Sequence, residues 1–236
     1  MIRLFDCNAS LGAKPLHQEH VPYTTEQLLS RMKELKIERA LVRHNASVDA
    51  DLRFGNNKAL EESGKHPELL PVWCIVAAGA DEIGKPADFV SNMLSAGVCA
   101  ATMFPRQHHF SFADWCLGDV LSALEDARVP LLVDHSQVSL DELAAALPGY
   151  PQLPLICTGM GYRENRRIYP LMDMCPNLHM DISAPYSVHF GIEDICRRFG
   201  AERLLFGTGW PTPEPGTAIS MLMYSSISDE EKQLIG

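Results

Sequence analysis

The sequence predicts a (β/α)8 barrel on three observations. Eight short apolar runs alternate with segments of helical period, no break in composition divides the chain, and 236 residues suffice for eight strand–helix units. Strands that alternate with helices are joined by right-handed crossovers and therefore run parallel. The competing architecture is a doubly wound open sheet, which usually carries a glycine-rich phosphate turn after its first strand. Here the first strand runs into "DCNASLG", which lacks that spacing.

The first strand is read at 2–6, "IRLFD", giving way to a polar loop with Asn8, Ser10 and Gly12. "TTEQLLSRMKELK" follows, with Thr24 or Thr25 as its cap and Leu28, Leu29, Met32 and Leu35 on one face. The second strand is "RALVRH" (39–44), and its helix, "FGNNKALEESGK", is the weakest unit because its glycines shorten it. Strand three is read at 69–77 and strand four at 99–105, with "ADFVSNMLSAG" between them closing on Gly97. Strands five to eight are read at 129–135, 153–159, 178–183 and 203–209. "DWCLGDVLSALEDA", "SLDELAAAL", "RENRRIYPLMDMC" and "GIEDICRRFG" precede them in turn, and "TAISMLMYSSI" with "SDEEKQLIG" completes the last helical layer. The longest irregular stretches, 11–23 and 45–54, directly follow strands, where barrel loops cover the active face. Residues 1–236 are thus expected to form a single domain.

Composition narrows the function classes. A hydrophobic content of 46% with 21% charged residues is that of a soluble globular protein. The net charge of −10 speaks against nucleic acid or an anionic membrane as the main partner, since both attract basic patches. No apolar run reaches the roughly 18 residues of a membrane span, and the N-terminus lacks a secretory signal pattern. Seven scattered cysteines without a CxxC pair read as buried free thiols of a cytoplasmic protein. A small-molecule ligand is the expected partner, and a homodimer is compatible with the surface.

In such a barrel, side chains at the C-terminal strand ends share one mouth. Those ends supply Asp6, Asn8 and Ser10; His44 and Asn45; Arg106, His108 and His109; Asp134 and His135; Thr158; Asp181 and Ser183; Thr208 and Trp210. His44, His108, Asp134, His135 and Asp181 are the catalytic candidates, with a histidine as general acid or base near neutral pH and an aspartate orienting it. Strand alternation sends only one of Asp134 and His135 inward, and the sequence leaves open which. Asn8, Arg106, Thr158, Thr208 and Trp210 are the substrate-binding candidates. Arg106 either clamps a substrate carboxylate or ties Asp134 or Asp181, while Asn8 donates to a developing oxyanion. A salt-bridging role for Asp181 competes with a catalytic one. His17, His20, His66 and His189 are read as solvated, and His179 as a strand residue without function.

"FDCNASLG", "LPLICTGMGY", "PNLHMDIS", "RLLFGTGWP" and "ISDEEKQLIG" together resemble the amidohydrolase superfamily, in particular the metal-dependent hydrolases of the amidohydrolase-2 type, over nearly the whole chain. The resemblance implies a (β/α)8 barrel and hydrolysis, with decarboxylation and lactone opening among related barrels. It also implies a divalent metal site built from a His-x-His pair, histidines on strands five and six, and an aspartate on strand eight. At the corresponding positions stand Asn8 and Ser10, Thr158 or Gly159, and Gly209; only strand five keeps a ligand-capable group, Asp134 or His135. The chain ends at Gly236, where that family's C-terminal tail begins. The expectation is therefore a hydrolase-like barrel without a metal cofactor, acting on a small organic acid, amide, ester or lactone. One zinc on a rebuilt site of His44, His108 and His135 is the alternative cofactor. A non-catalytic, ligand-binding relative is the alternative function.

Overall fold

The computed structural model describes residues 2–15, 21–212 and 214–236, so His17, His20 and part of the expected 11–23 loop lie outside the described residues. Eight parallel strands follow one another in chain order: β1 (Leu4–Leu11), β2 (Ile37–His44), β3 (Leu69–Cys74), β4 (Ala100–Met103), β5 (Leu131–Asp134), β6 (Leu155–Thr158), β7 (Leu178–Asp181) and β8 (Leu204–Leu205). The sheet closes on itself. The Cys7 N–H donates to the Phe206 carbonyl at 2.9 Å, Gly209 to Asn8 at 2.9 Å and Ser10 to Trp210 at 3.0 Å. The fold is a (β/α)8 barrel, as the alternation of runs predicts.

Strand one differs from its expected form. It continues to Leu11, so Asn8 and Ser10 lie on strand rather than in a loop. The pairing with β2 slips between Asp6 and Ala9, leaving more residues on β1 than on its partner. A bulge of this kind re-aims the side chains beyond it.

The helices are α1 (Thr25–Leu35), α2 (Ala46–Asp49), α3 (Leu52–Lys65), α4 (Pro86–Ser95), α5 (Asp114–Asp126), α6 (Leu140–Ala146), α7 (Asn165–Met174), α8 (Gly191–Phe199), α9 (Gly216–Tyr224) and α10 (Asp229–Ile235). Thr24, Ser139 and Ser228 cap α1, α6 and α10, each in a reciprocal box with the glutamine or glutamate three residues on. The expected weakness of the second helix is not seen: α3 runs for 14 residues. Its Gly55 faces the backbone of Ser47, where a Cβ would collide, so the glycine lets α3 press against α2. The stretch 45–54 is accordingly helical in part.

Two apolar layers result. The larger lies between strands and helices and includes Val42, Met93, Leu121, Val133, Met180 and Phe206. A small inner cluster fills the barrel axis with Cys7, Leu41, Val72, Ala100, Leu132 and Ile156. Five cysteines are buried, Cys116 is half-buried, Cys99 is exposed, and all seven are free thiols. The C-terminal helix is stitched to the barrel where Phe5 donates to the Gly236 carbonyl at 2.6 Å and Phe206 to that of Ile235 at 2.8 Å. Among the described residues, no helix is long and apolar enough to cross a membrane.

Candidate functional site

The inner cluster fixes which residues reach the mouth, because side chains two apart on a strand share a face. Beyond Leu41 comes Arg43, beyond Ala100 come Thr102 and Phe104, beyond Leu132 comes Asp134, and beyond Ile156 comes Thr158. These residues, with Asn8, line a small inner cavity of about 40 Å3. Asn8, Arg43, Phe104 and Asp134 also line a wider outer cavity of about 370 Å3, bounded by Trp210, Pro211 and Pro185.

Arg43 is the cation common to both cavities. Its guanidinium stands 5.0 Å from the Phe104 ring centre and donates to Asn45 Oδ1 at 2.6 Å. Burial pushes its pKa down, opposed by Cys74 and by the carboxylates of Asp134 and Asp49; an arginine stays charged under such a load. Arg106, expected either to clamp a carboxylate or to tie Asp134 or Asp181, is exposed and borders neither cavity; Arg43 stands at the mouth instead.

Asp181 is fully buried and borders neither cavity itself, but it is bonded to three residues that line the outer one, Asn8, Gly159 and Ser183. Its Oδ2 accepts from Asn8 Nδ2 at 3.1 Å, while its Oδ1 accepts from the Gly159 N–H at 3.0 Å and from Ser183 Oγ at 3.1 Å. Burial drives its pKa up to about 6, those three hydrogen bonds pull it back, and Asp134 raises it further. Among the described residues Asp181 forms no ion pair, which removes the salt-bridge reading. The Asn8 amide, expected to serve an oxyanion, spends one N–H on this carboxylate. Gly159 adopts φ +68°, and a Cβ there would sit 2.7 Å from Asp134 Oδ2. A glycine thus lets both carboxylates crowd the end of β6.

Asp134 therefore faces the mouth, and His135 does not. His135 lies 3.9 Å from Glu164 and lines neither cavity. His44 turns away from the axis, its ring over Gly12 and its Nδ1 accepting from the Ala46 N–H at 3.2 Å; burial lowers its pKa. His108 sits between Phe104 and Phe110, with Nε2 2.9 Å from the Val48 carbonyl, and walls a separate cavity of about 430 Å3 beside α2. The three imidazoles do not converge, so the rebuilt zinc site is not formed. His179 contacts the Glu202 carbonyl at 2.9 Å from its strand position.

Thr158 borders the inner cavity and Trp210 the outer one. Thr208 is engaged elsewhere: its hydroxyl donates to Asp6 Oδ2 at 2.5 Å, and its N–H to Asp6 Oδ1 at 2.9 Å. Asp6 also accepts from the Asn8 N–H at 3.0 Å, and burial raises its pKa against these bonds. This buried pair ties β1 to the segment after β8. Of the mouth residues on β2 and at the end of β4, Arg43, Thr102 and Phe104 escaped the sequence reading. Counting by twos from Leu41 and Ala100 would have found all three.

An inward arginine and two aspartates thus stand at the C-terminal strand ends of this (β/α)8 barrel, the end at which barrel enzymes carry their sites. The amidohydrolase family model matches residues 22–235, and the chain belongs to that family. A TIM-barrel protein of Bordetella bronchiseptica is similar at 17% identity and TM-score 0.77, covering 99% of this chain and 95% of the other. The 2,6-dihydroxybenzoate decarboxylase of Rhizobium shares 16% identity at TM-score 0.73, over 100% of this chain and 96% of that one. A dihydroxybenzoic acid decarboxylase of Polaromonas, with bound manganese and the inhibitor 2-nitroresorcinol, shares 14% identity at TM-score 0.73 over 100% and 95%. At these identities the likeness establishes the fold. Among curated protein sequences, none matches.

The manganese of the Polaromonas enzyme overturns the expectation that a barrel of this kind works without a metal cofactor. The residues present here do not by themselves fit such an ion. Among the described residues, no group of three or more His, Cys, Asp or Glu could hold one. Asn8, Ser10, Gly159 and Gly209 occupy positions where the resemblance implies ligands, and the Asp181 oxygens are already met by three donors.

Proposed function

We propose that this barrel is an enzyme that cleaves a bond adjacent to the carboxylate or carbonyl of a small organic acid, with decarboxylation as the leading reaction. One observation carries the reading. A desolvated guanidinium, Arg43, lines the mouth together with Asp134, and directly behind its lining a proton-holding carboxyl, Asp181 with its pKa near 6, is bonded to Asn8, Gly159 and Ser183 of the same cavity. Arg43 offers a carboxylate two parallel donors and an aromatic neighbour against which a planar substrate can lie. Asp181 is poised to hold or release a proton close to neutral pH, where general acid–base work is most efficient. In a decarboxylation, the Ser183 hydroxyl, which lines the outer cavity, gives its proton to the carbon that bears the substrate carboxylate and takes the proton of Asp181 in exchange. The carbon–carbon bond then breaks, its electron pair stays with the ring, carbon dioxide leaves, and Asp181 regains a proton from solvent. The decarboxylase relatives support this reading, and the family match supports a second one. There the ionised Asp181 takes the Ser183 proton while Ser183 takes one from a water that attacks an amide, ester or lactone.

Purified protein assayed against hydroxybenzoates for carbon dioxide release, and against small amides, esters and lactones for hydrolysis, tests both readings. Turnover that falls at least about 100-fold in Asp181→Asn and in Arg43→Met supports the site. Turnover that survives both substitutions refutes it. Ligand-dependent thermal stabilisation without turnover of any substrate would replace the enzyme with a binding protein.

A further inference from the structure

The charges around the outer cavity go further than one carboxylate. Of the residues that line it, three are charged: Arg43 and Lys14 are cations, and Asp134 is an anion. That surplus of positive charge occurs in a chain with a net charge of −10. Lys14 stands on the segment that leaves β1, is exposed, and has no hydrogen bond or ion pair with a described residue. Lys58 and Lys65 pair with Glu61 and Glu62, and Lys232 bonds the Met223 carbonyl. Lys33, Lys36 and Lys85 are as unengaged as Lys14 among the described residues, but they border neither cavity of the mouth. Arg43 commits Nη1 to Asn45 and has no other described hydrogen bond. The same cavity has flat apolar walls in Phe104, Trp210, Pro211 and Pro185. The cavity, about 370 Å3, is within the range of small-molecule sites.

We propose that Lys14 is a specificity-determining residue and that the preferred substrate is a small planar dianion, a dicarboxylic acid, with one carboxylate on Arg43 and the second on Lys14. This rests on the carboxylate clamp proposed above. The buried arginine supplies the fixed, bidentate end, and the flexible lysine at the rim supplies a point charge that tolerates variation in the spacing of the two acids. A free cation at the mouth of an otherwise acidic protein also focuses anions towards the cavity.

Calorimetric titration of the full chain with benzoate, isophthalate and terephthalate tests the assignment. The wild-type protein is expected to bind at least one dicarboxylate about fivefold more tightly than benzoate, the ratio an exposed charge pair of about 1 kcal/mol supplies. Lys14→Met is expected to abolish that preference, Lys14→Arg to retain it, and added salt to reduce it in the wild type more than in Lys14→Met. A preference unchanged in Lys14→Met, a wild type that favours benzoate, or a wild type that binds none of the three acids overturns the inference. Arg43→Met separates the two readings. If it weakens all three acids while Lys14→Met leaves the preference intact, the clamp stands and the dianion falls. If Arg43→Met weakens none of them, the clamp itself falls.

Discussion

Replacing Asp181 with asparagine isolates the most strongly perturbed mouth carboxyl without changing its size. In the folded protein this group titrates near 6, against an ordinary value of 3.8. Between those two values the unfolded chain has released a proton that the folded protein still holds, so rising pH favours the unfolded state. A separation of about 2 pH units, at roughly 1.4 kcal/mol each, predicts a loss of about 3 kcal/mol across this window and no further loss above it. Asparagine does not titrate, so the variant lacks this component. The substitution also turns an acceptor into a donor opposite Asn8 Nδ2, and rotating the Asn8 amide restores the pair. Urea unfolding of both proteins from pH 4 to 7.5 gives the stability difference, in which distant titrating groups cancel. The variant should gain on the wild type by about 3 kcal/mol as pH rises through this window. A difference that stays flat within about 0.5 kcal/mol would refute the argument that burial dominates the environment of Asp181.

Other consequences follow from the same geometry. Arg43→Lys should fail to restore the activity lost in Arg43→Met, because an ammonium cannot present two parallel donors; steady-state kcat/KM decides this. Gly159→Ala places a Cβ 2.7 Å from Asp134 Oδ2 on a backbone at φ +68°, and should cost roughly 1–3 kcal/mol in urea unfolding together with activity. Thr208→Val removes the hydroxyl that donates to Asp6 and leaves that buried carboxyl short of a donor, a loss of about 1–3 kcal/mol measurable by the same method. Gly55→Ala forces α3 off the Ser47 backbone and should lower Tm by several degrees, at roughly 2–4 °C per kcal/mol for a chain of this size.

The barrel was legible because its strands are bounded apolar runs, and a parallel sheet covered on both faces needs nothing subtler. The same property hid half of the mouth. In β2 both Leu41 and Val42 are apolar, so the run carries no mark of which one faces the axis, and the polar pair that follows, Arg43 and His44, can be assigned either way. Choosing the more familiar catalytic residue, histidine, selected the outward side chain. Asp134 and His135 posed the same choice after Leu132 and Val133. Only the packed axis resolves it, since Leu41, Leu132 and Ile156 meet there and fix the row to which Arg43, Asp134 and Thr158 belong.

Strand β1 shows why no counting rule extends around the whole barrel. Strict alternation would put Cys7 and Asn8 on opposite faces, yet both border the inner cavity, because the slip in pairing after Asp6 breaks the parity of the strand. The bulge has a chemical consequence. It brings the Asn8 amide to the Asp181 carboxylate while Asp6, two residues earlier, is held in the Thr208 tie. A regular strand could point Asn8 inward only by carrying Asp6 to the same face, adding another carboxyl beside the half-buried Asp134 and the buried Asp181. Each further negative charge there would raise the cost of ionising Asp181. The irregularity therefore keeps the Asp6 carboxyl for joining strands and leaves Asp181, raised by burial and by Asp134, to hold the proton.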